Sequence, residues 1–277
     1  MPAFSFPHGK VALITGASSG IGRETALLFA MNGYTVYGAS RRGTLPELPQ
    51  GAAGTLHAVS MDVTDEASVR QGVETISAAE GRIDVLVHAA GNGLSGPAEC
   101  CTAQDAQRQM DVNYYGALRL LNAILPGMRA RRQGLVLLVG SVGGIFAIPF
   151  QTLYSSSKAA LAMLSDGLRL ELRPYSVHAA LIEPGDVKTG FTDARKPVAN
   201  ACDSYRESYE RAISRMVRDE ENGMHPRFVA AAILRAAQKA NPKAHSVVGG
   251  AYRAFVFLKR ILPVRLTEAL LYKMYLG

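Results

Sequence analysis

Seven short runs rich in Val, Leu, Ile and Ala punctuate the chain, at residues 11–15, 34–39, 55–61, 83–88, 135–140, 177–183 and 246–248. Within each run the apolar residues are largely continuous instead of alternating with polar ones. That is the pattern of a strand covered on both faces, as in a parallel sheet. Helix-length segments lie between them, at residues 21–31, 65–79, 103–131, 152–173 and 227–239. Asn32-Gly33 offers the first helix a stop, and Pro174 follows the end of the fourth. Strands alternating with helices predict one α/β domain over residues 1–277. Its sheet should be doubly wound and parallel, with right-handed crossovers.

Two segments break the alternation. Residues 190–223 are polar and interrupted, carry Phe191, Tyr205, Tyr209 and Met216, and read as a substrate-loop insertion. Residues 252–277 form an apolar and basic extension broken by Pro263. The extension has more than one reading at this level: a segment lying peripherally on an anionic membrane, a helix closing the protein's own pocket, or a subunit contact.

Composition narrows the partners. The 277 residues include 30 Lys and Arg against 23 Asp and Glu, a net charge of +7. The basic residues are dispersed, apart from short clusters such as Arg129-Ala130-Arg131-Arg132. That suits an anionic ligand better than a nucleic-acid groove. Cys100, Cys101 and Cys202 have neither metal-ligand spacing nor the density of a disulfide scaffold, and are expected as reduced thiols of a cytoplasmic protein. The N-terminal residues show no signal-like apolar core, and no apolar run approaches the roughly 18 residues that span a bilayer. His57, His178 and His245 are not spaced as ligands, so no metal is expected.

An open parallel sheet binds its ligands beyond the carboxyl ends of its strands. Here each of the first six strands ends in distinctive residues. After the first comes Thr15-Gly16-Ala17-Ser18-Ser19-Gly20-Ile21-Gly22. Its glycines allow a tight turn and a close approach by pyrophosphate, and the following helix offers free N–H groups; Gly16, Ser18, Ser19, Gly20, Ile21 and Gly22 are the expected contacts. After the second comes Ser40-Arg41-Arg42, with no Asp or Glu between Tyr34 and Pro46. An acid there would hold a ribose 2′-hydroxyl; guanidinium groups suit a 2′-phosphate, which predicts NADP(H). Asp62-Val63 follows the third strand, where the carboxylate serves the adenine amine or the start of a helix. Ala89-Ala90-Gly91, Gly140-Ser141 and the Pro184-Gly185-Asp186-Val187-Lys188-Thr189 turn follow the next three. Downstream of Ser141, Tyr154 and Lys158 stand at i and i+4 and so share a helix face. A cation beside a phenol stabilises phenolate and is expected to draw the Tyr154 pKa down.

Taken together, these motifs resemble the short-chain dehydrogenase/reductase family over roughly residues 10–250. The matching residues are the 15–22 turn, Asp62-Val63, Asn113 within Asp111-Val112-Asn113-Tyr114-Tyr115-Gly116, Ser141, Tyr154, Lys158 and the 184–189 turn. The resemblance implies a seven-stranded Rossmann domain, a nicotinamide cofactor, a dimer or tetramer, and a catalytic set of Asn113, Ser141, Tyr154 and Lys158. Tyr154 would exchange a proton with the substrate oxygen and Ser141 would polarise it. Lys158 would hold the nicotinamide ribose, and Asn113 would anchor a water linking Lys158 to solvent. The cofactor set implied includes Ala89, Ala90, Gly91, Pro184, Gly185, Val187 and Thr189 beside those above. One departure is His88-Ala89 where family members often carry Asn-Asn.

The apolar residues after Ser141 and in the insertion predict a pocket for a lipophilic ketone or aldehyde and the corresponding alcohol, with Ser141, Gly143, Phe146, Tyr154 and Phe191 as contacts. Residues 143–158 and the extension are similar to members acting on hydroxysteroids or retinoids. Two alternatives stand beside this reading. One is a 3-oxoacyl-thioester reductase, whose acidic carrier protein would dock on Arg129, Arg131 and Arg132. The other is an NADP-sensing binding protein without turnover.

Overall fold

The computed structural model describes residues 5–199 and 202–277. Its elements run β1 (Val11–Thr15), α1 (Gly20–Met31), β2 (Thr35–Ser40), β3 (Thr55–Ser60), α2 (Glu66–Glu80), β4 (Val85–His88), β5 (Leu94–Ser95), α3 (Ala103–Met110) and α4 (Gly116–Arg131). They continue with β6 (Gly134–Val139), α5 (Thr152–Glu171), β7 (Val177–Pro184), α6 (Phe191–Ala194), β8 (Lys196–Pro197) and α7 (Arg206–Glu221). The chain ends in α8 (Pro226–Ala237), β9 (His245–Val248), α9 (Gly250–Ile261) and α10 (Val264–Tyr275).

Seven parallel strands form the central sheet in the order β3-β2-β1-β4-β6-β7-β9. The chain winds outward from β1 to β3, then returns to place β4 on the other side of β1. The gap between β1 and β4 is therefore the switch point where such sheets open a crevice. β1, β4 and β6 are buried along their whole length, which explains their unbroken apolar runs. On one face Leu13, Leu86, Val136 and Leu138 pack against Leu120 and Ile124 of α4 and Leu161 and Leu168 of α5. On the other, Ile14, Val87, Leu137 and Ile182 pack against Phe29 of α1 and Val229 and Ile233 of α8. The edge strand β9 is secured by His245, whose two ring nitrogens reach Glu183 of β7 and Asp166 of α5 at 3.1 and 2.9 Å.

Three expectations change. The helix expected over residues 103–131 is split by a π-helical turn, Asp111–Tyr115, which turns Asn113 fully into the interior. Single π turns of this kind recur at functional sites. The 190–223 insertion is mostly helical instead of loop: α6, then β8 paired in parallel with β5, then the 16-residue α7. Only Ala212 and Met216 of α7 are buried, so its helical period is faint in the sequence. The tail forms two helices, α9 and α10, that meet at Pro263. Among the described residues no helix is long and apolar enough to cross a membrane.

Candidate active site

A cleft of about 460 Å³ opens beyond the carboxyl ends of the strands, across the β1/β4 switch point. Its first wall is the β1–α1 turn, where Gly16, Ser18, Ser19, Gly20, Ile21 and Gly22 all face the opening. Gly16 has φ of +69°, and a Cβ there would sit 3.0 Å from the Ala89 carbonyl oxygen and the Ala90 amide. No side chain but hydrogen fits between the turn and the end of β4. Ser19 caps α1 without a side-chain hydrogen bond, leaving its hydroxyl and the first-turn amides for a ligand.

Thr15 ties β1 to β4. Its Oγ1 accepts from the Ala89 and Ala90 amides at 3.2 Å each and lies 3.1 Å from His88 Nδ1. With both amides donating to it, the hydroxyl gives its own proton to Nδ1. His88 thus supplies the acceptor at the position where the family pattern is broken. Burial first, and then the charge of Lys158, push His88 down to about 3, so it stays neutral.

At the end of β2 the exposed Arg41 lines the cleft, whereas Arg42 does not. Beside Arg41, Ser40 Oγ is buried, lines the same cleft and has no hydrogen-bond partner among the described residues. A hydroxyl donor and a guanidinium side by side fit an anionic oxygen group. Asp62 and Val63 face the cleft at the end of β3. Burial pushes Asp62 up, but hydrogen bonds from the Thr64 amide and hydroxyl, with the charges of Arg41 and Arg119, hold it below the usual carboxylate range.

Tyr154 and Lys158 lie one turn apart on α5, both buried, and both open into the cleft together with Ser141. Lys158 Nζ donates to the Val139 carbonyl at 2.8 Å and sits 5.9 Å from the Tyr154 ring centre. Burial lowers Lys158 to about 8. Tyr154 moves opposite to expectation: burial raises it to about 12, only partly offset by a hydrogen bond with Ser141. The cation expected to draw the phenol down is turned toward the end of β6. Tyr154 is therefore a protonated phenol across the physiological range.

Asn113 is fully buried and is not among the groups that line the cleft. Its amide clamps the backbone of Asn92: Oδ1 accepts from the Asn92 amide at 3.0 Å, and Nδ2 donates to the Asn92 carbonyl at 3.2 Å and to Ser157 Oγ at 2.9 Å. A Cβ on Gly91 would come 3.3 Å from Asn113 Oδ1 and 3.6 Å from Lys158 Nζ, so this loop runs close to both side chains. Gly91, Ala89 and Ala90 complete this wall, and Pro184, Gly185, Val187 and Thr189 the facing one.

Of the expected substrate contacts, Ser141, Tyr154 and Phe191 face the cleft, the Phe191 ring 5.5 Å from that of Tyr154. Gly143 and Phe146 do not. Gly143 packs behind Tyr154, where a Cβ would meet its Cε1 at 3.2 Å. Phe146 turns outward beneath Lys259 of α9, whose Nζ is 5.2 Å from its ring centre. Ile148 and Gln151 take their places. Tyr205 and Tyr209 stack edge-on against Phe150 instead of entering the cleft. The sequence reading missed Asn92, Asp186, Glu220, Tyr252 and Tyr275, all of which line it. Tyr252 of α9 donates its hydroxyl to Asp186, and burial raises Tyr275 of α10 to about 12. Both ends of the α9–α10 hairpin thus close over the cleft; two tyrosines framing an otherwise apolar and basic tail were the only signal.

Known proteins carry the same framework. The family model described as short chain dehydrogenase matches residues 10–199. A 3-ketodihydrosphingosine reductase of Bacteroides thetaiotaomicron is 38% identical over 242 residues, 87% of this chain and 88% of its own length. Human 17-beta-hydroxysteroid dehydrogenase type 1 is 42% identical over 193 residues, 66% of this chain and 58% of its own. Among solved structures, a short-chain dehydrogenase from Streptomyces avermitilis superposes with a TM-score of 0.80 at 31% identity, covering 94% of this chain and 95% of that one. A Burkholderia phymatum relative (TM-score 0.77, 26% identity, 94% and 95% covered) is in complex with NAD. ElxO (TM-score 0.72, 25% identity, 88% and 99% covered) has NADP bound. With its strand order, its glycine turn and these similarities, the chain belongs to the short-chain dehydrogenase/reductase family of oxidoreductases, among members resembling hydroxysteroid and retinol dehydrogenases.

Proposed function

We propose that this protein interconverts a lipophilic ketone and its secondary alcohol with NADP(H), using Tyr154 as the proton donor and acceptor. The observation that carries the reading is the convergence of Tyr154, Ser141 and Lys158 in a cleft whose other end is a phosphate-type glycine turn. A bound nicotinamide supplies or removes the hydride. The protein's own residues manage the proton. In the reducing direction the Tyr154 phenol gives its proton to the developing alkoxide, and Ser141 Oγ stabilises the charge on that oxygen. Lys158, at about 8, holds a proton at neutral pH and restores it to the phenol. Asn113 positions the Gly91–Asn92 backbone beside Lys158.

The substrate class rests on the lining and on the relatives. Val142, Ile148, Phe191 and Ala194 make an apolar wall next to Tyr154. The Bacteroides and human relatives are named for a keto-sphingoid base and a hydroxysteroid, both lipophilic. The arginines that would dock an acidic carrier protein are placed unfavourably for that role. Arg131 donates to the Ile83 carbonyl at 3.0 Å, just before β4, and Arg132 to Pro174 at 2.7 Å, just before β7. Both sit at the opposite end of the sheet from the cleft.

Ser40 and Arg41 favour NADP(H) over NAD(H). Wild type is expected to prefer NADPH, and Arg41→Ala is expected to cut that preference by about 10- to 100-fold, the worth of a charge-assisted bond. Arg42→Ala should change it little. Cofactor affinities measured by fluorescence titration, with a panel of ketones for turnover, test this; tighter binding of NADH by wild type would refute the assignment.

The hairpin that closes the cleft also supports peripheral membrane contact. Its outer side exposes Phe257, Ile261, Val264, Leu266, Leu270 and Tyr272. Residues 250–277 carry five Lys and Arg against one Glu. Anionic bilayers attract such a face electrostatically and by apolar burial, and a lipophilic substrate would enter beside it. Co-sedimentation with phosphatidylglycerol vesicles is expected to be strong at low salt and to fall at least tenfold in Phe257→Asp/Ile261→Asp. Equal sedimentation of wild type and variant would contradict it.

A further inference from the structure

The three thiols, unrelated by spacing, are not equivalent in the fold. Cys100 ends a one-turn helix, Ala98–Cys100, that follows β5, and Cys202 immediately precedes the Asp203–Tyr205 turn leading into α7. Their Sγ atoms lie 2.7 Å apart across 102 positions of sequence. A disulfide needs about 2.05 Å, so a shift of well under one ångström joins them. Cys101 is aimed elsewhere, its thiol donating to the Pro97 carbonyl at 3.3 Å. Cys202 is exposed and Cys100 partly so, which lets a reagent in solvent reach the pair.

The pair joins the 93–100 segment to the insertion, which lines the cleft through Phe191, Ala194 and Glu220. On the Cys100 side, Gly93 lies so close to Phe191 that a Cβ would come 2.7 Å from the ring, and Ser95 Oγ is 2.9 Å from Tyr209 Oη. On the Cys202 side, α7 carries Tyr209 and the cleft-lining Glu220. Backbone hydrogen bonds from the Lys196 amide to the Gly93 carbonyl at 3.0 Å and from the Val198 amide to the Ser95 carbonyl at 2.9 Å already seat the insertion against the 93–100 segment, and the thiols stand where a covalent bond would make that closure permanent.

We propose that Cys100 and Cys202 form a reversible disulfide that locks the insertion over the cleft and slows exchange of substrate and product. One thiolate attacks a small-molecule disulfide, forming a mixed disulfide and releasing one small thiolate. The second thiolate attacks the protein sulfur of that mixed disulfide, forming the Cys100–Cys202 bond and releasing the other. Two electrons pass from the protein to the reagent, and the two protons end on its released thiols. The flanking Glu99 and Asp203 carboxylates disfavour an anionic oxidant, so an uncharged one is the better probe.

Incubating the full-length protein with 2-hydroxyethyl disulfide tests this. The expected product has lost two hydrogens in mass and yields one cross-linked peptide pair containing Cys100 and Cys202. Its Tm should rise by about 10 °C, as closing a loop of this length constrains the unfolded chain. NADPH-dependent turnover should fall several-fold and return with dithiothreitol. Cys100→Ser and Cys202→Ser abolish all of these changes, and Cys101→Ser retains them. Linkage through Cys101, a stable mixed disulfide on a single thiol, or a linked protein with unchanged turnover and Tm would overturn the proposal. The kinetic arm rests on the oxidoreductase reading above; the mass and melting arms do not, so the two failures are distinguishable.

Discussion

Replacing Tyr154 by Phe is expected to lower kcat for ketone reduction by about 10²–10⁴-fold, the usual worth of a positioned proton donor. The variant keeps the ring that packs on Phe191 and Gly143 and loses only the hydroxyl and its bond with Ser141. Its Tm should stay within a few degrees of wild type, and its NADPH affinity within a few-fold. Because burial keeps the phenol near 12, wild-type Tyr154 is protonated at every working pH. Loss of donor function in the variant should therefore be seen at pH 6 and pH 8 alike. Unchanged turnover would revive the reading of a cofactor-binding protein without chemistry of its own.

Lys158→Met is expected to lose most activity and to gain stability. A buried ammonium whose pKa falls from 10.5 to about 8 is a cost to the folded state at neutral pH. Met keeps the length of the side chain and removes the charge, at the loss of the hydrogen bond to Val139. The net gain at pH 7 should be on the order of 1–3 kcal/mol, visible as a higher Tm. The sign follows from proton binding. Between about 8 and 10.5 the unfolded chain holds a proton on this lysine that the native protein has released, so wild-type stability rises with pH there. Below about 8 both states are charged and the cost is fully present. The advantage of Met should thus shrink as pH rises through 8 toward 10. In wild type, reduction should decline over the same rise, as Lys158 loses the proton it returns to Tyr154. A variant that melts lower than wild type at pH 7 and keeps more than a tenth of its activity would contradict both roles.

The parts of this molecule that were legible in the sequence are those governed by short-range periodicity. β1, β4 and β6 read as strands because burial on both faces leaves an unbroken apolar run. Tyr154 and Lys158 were placed together because four residues make about one helical turn. Arg41 and Arg42 stood out because no acid lies between Tyr34 and Pro46, although only Arg41 lines the cleft. What escaped depends on long-range geometry. The π turn that buries Asn113 shifts helical phase by a single residue, below the resolution of any apolar pattern. Tyr252 and Tyr275 reach the cleft from the far end of the chain. The direction of the Tyr154 shift was misread because spacing places Lys158 near the phenol without revealing that its Nζ is held by Val139. The Cys100–Cys202 pair spans 102 residues and carries no local signature.

A crystal structure of the wild-type complex with NADP⁺ and a lipophilic ketone would measure the arrangement on which the proposed chemistry depends. Tyr154 Oη and Ser141 Oγ should each lie within about 2.6–3.2 Å of the ketone oxygen. A ketone bound in the cleft with its oxygen facing other residues, and out of reach of Tyr154, would contradict the assignment of Tyr154 as the proton donor.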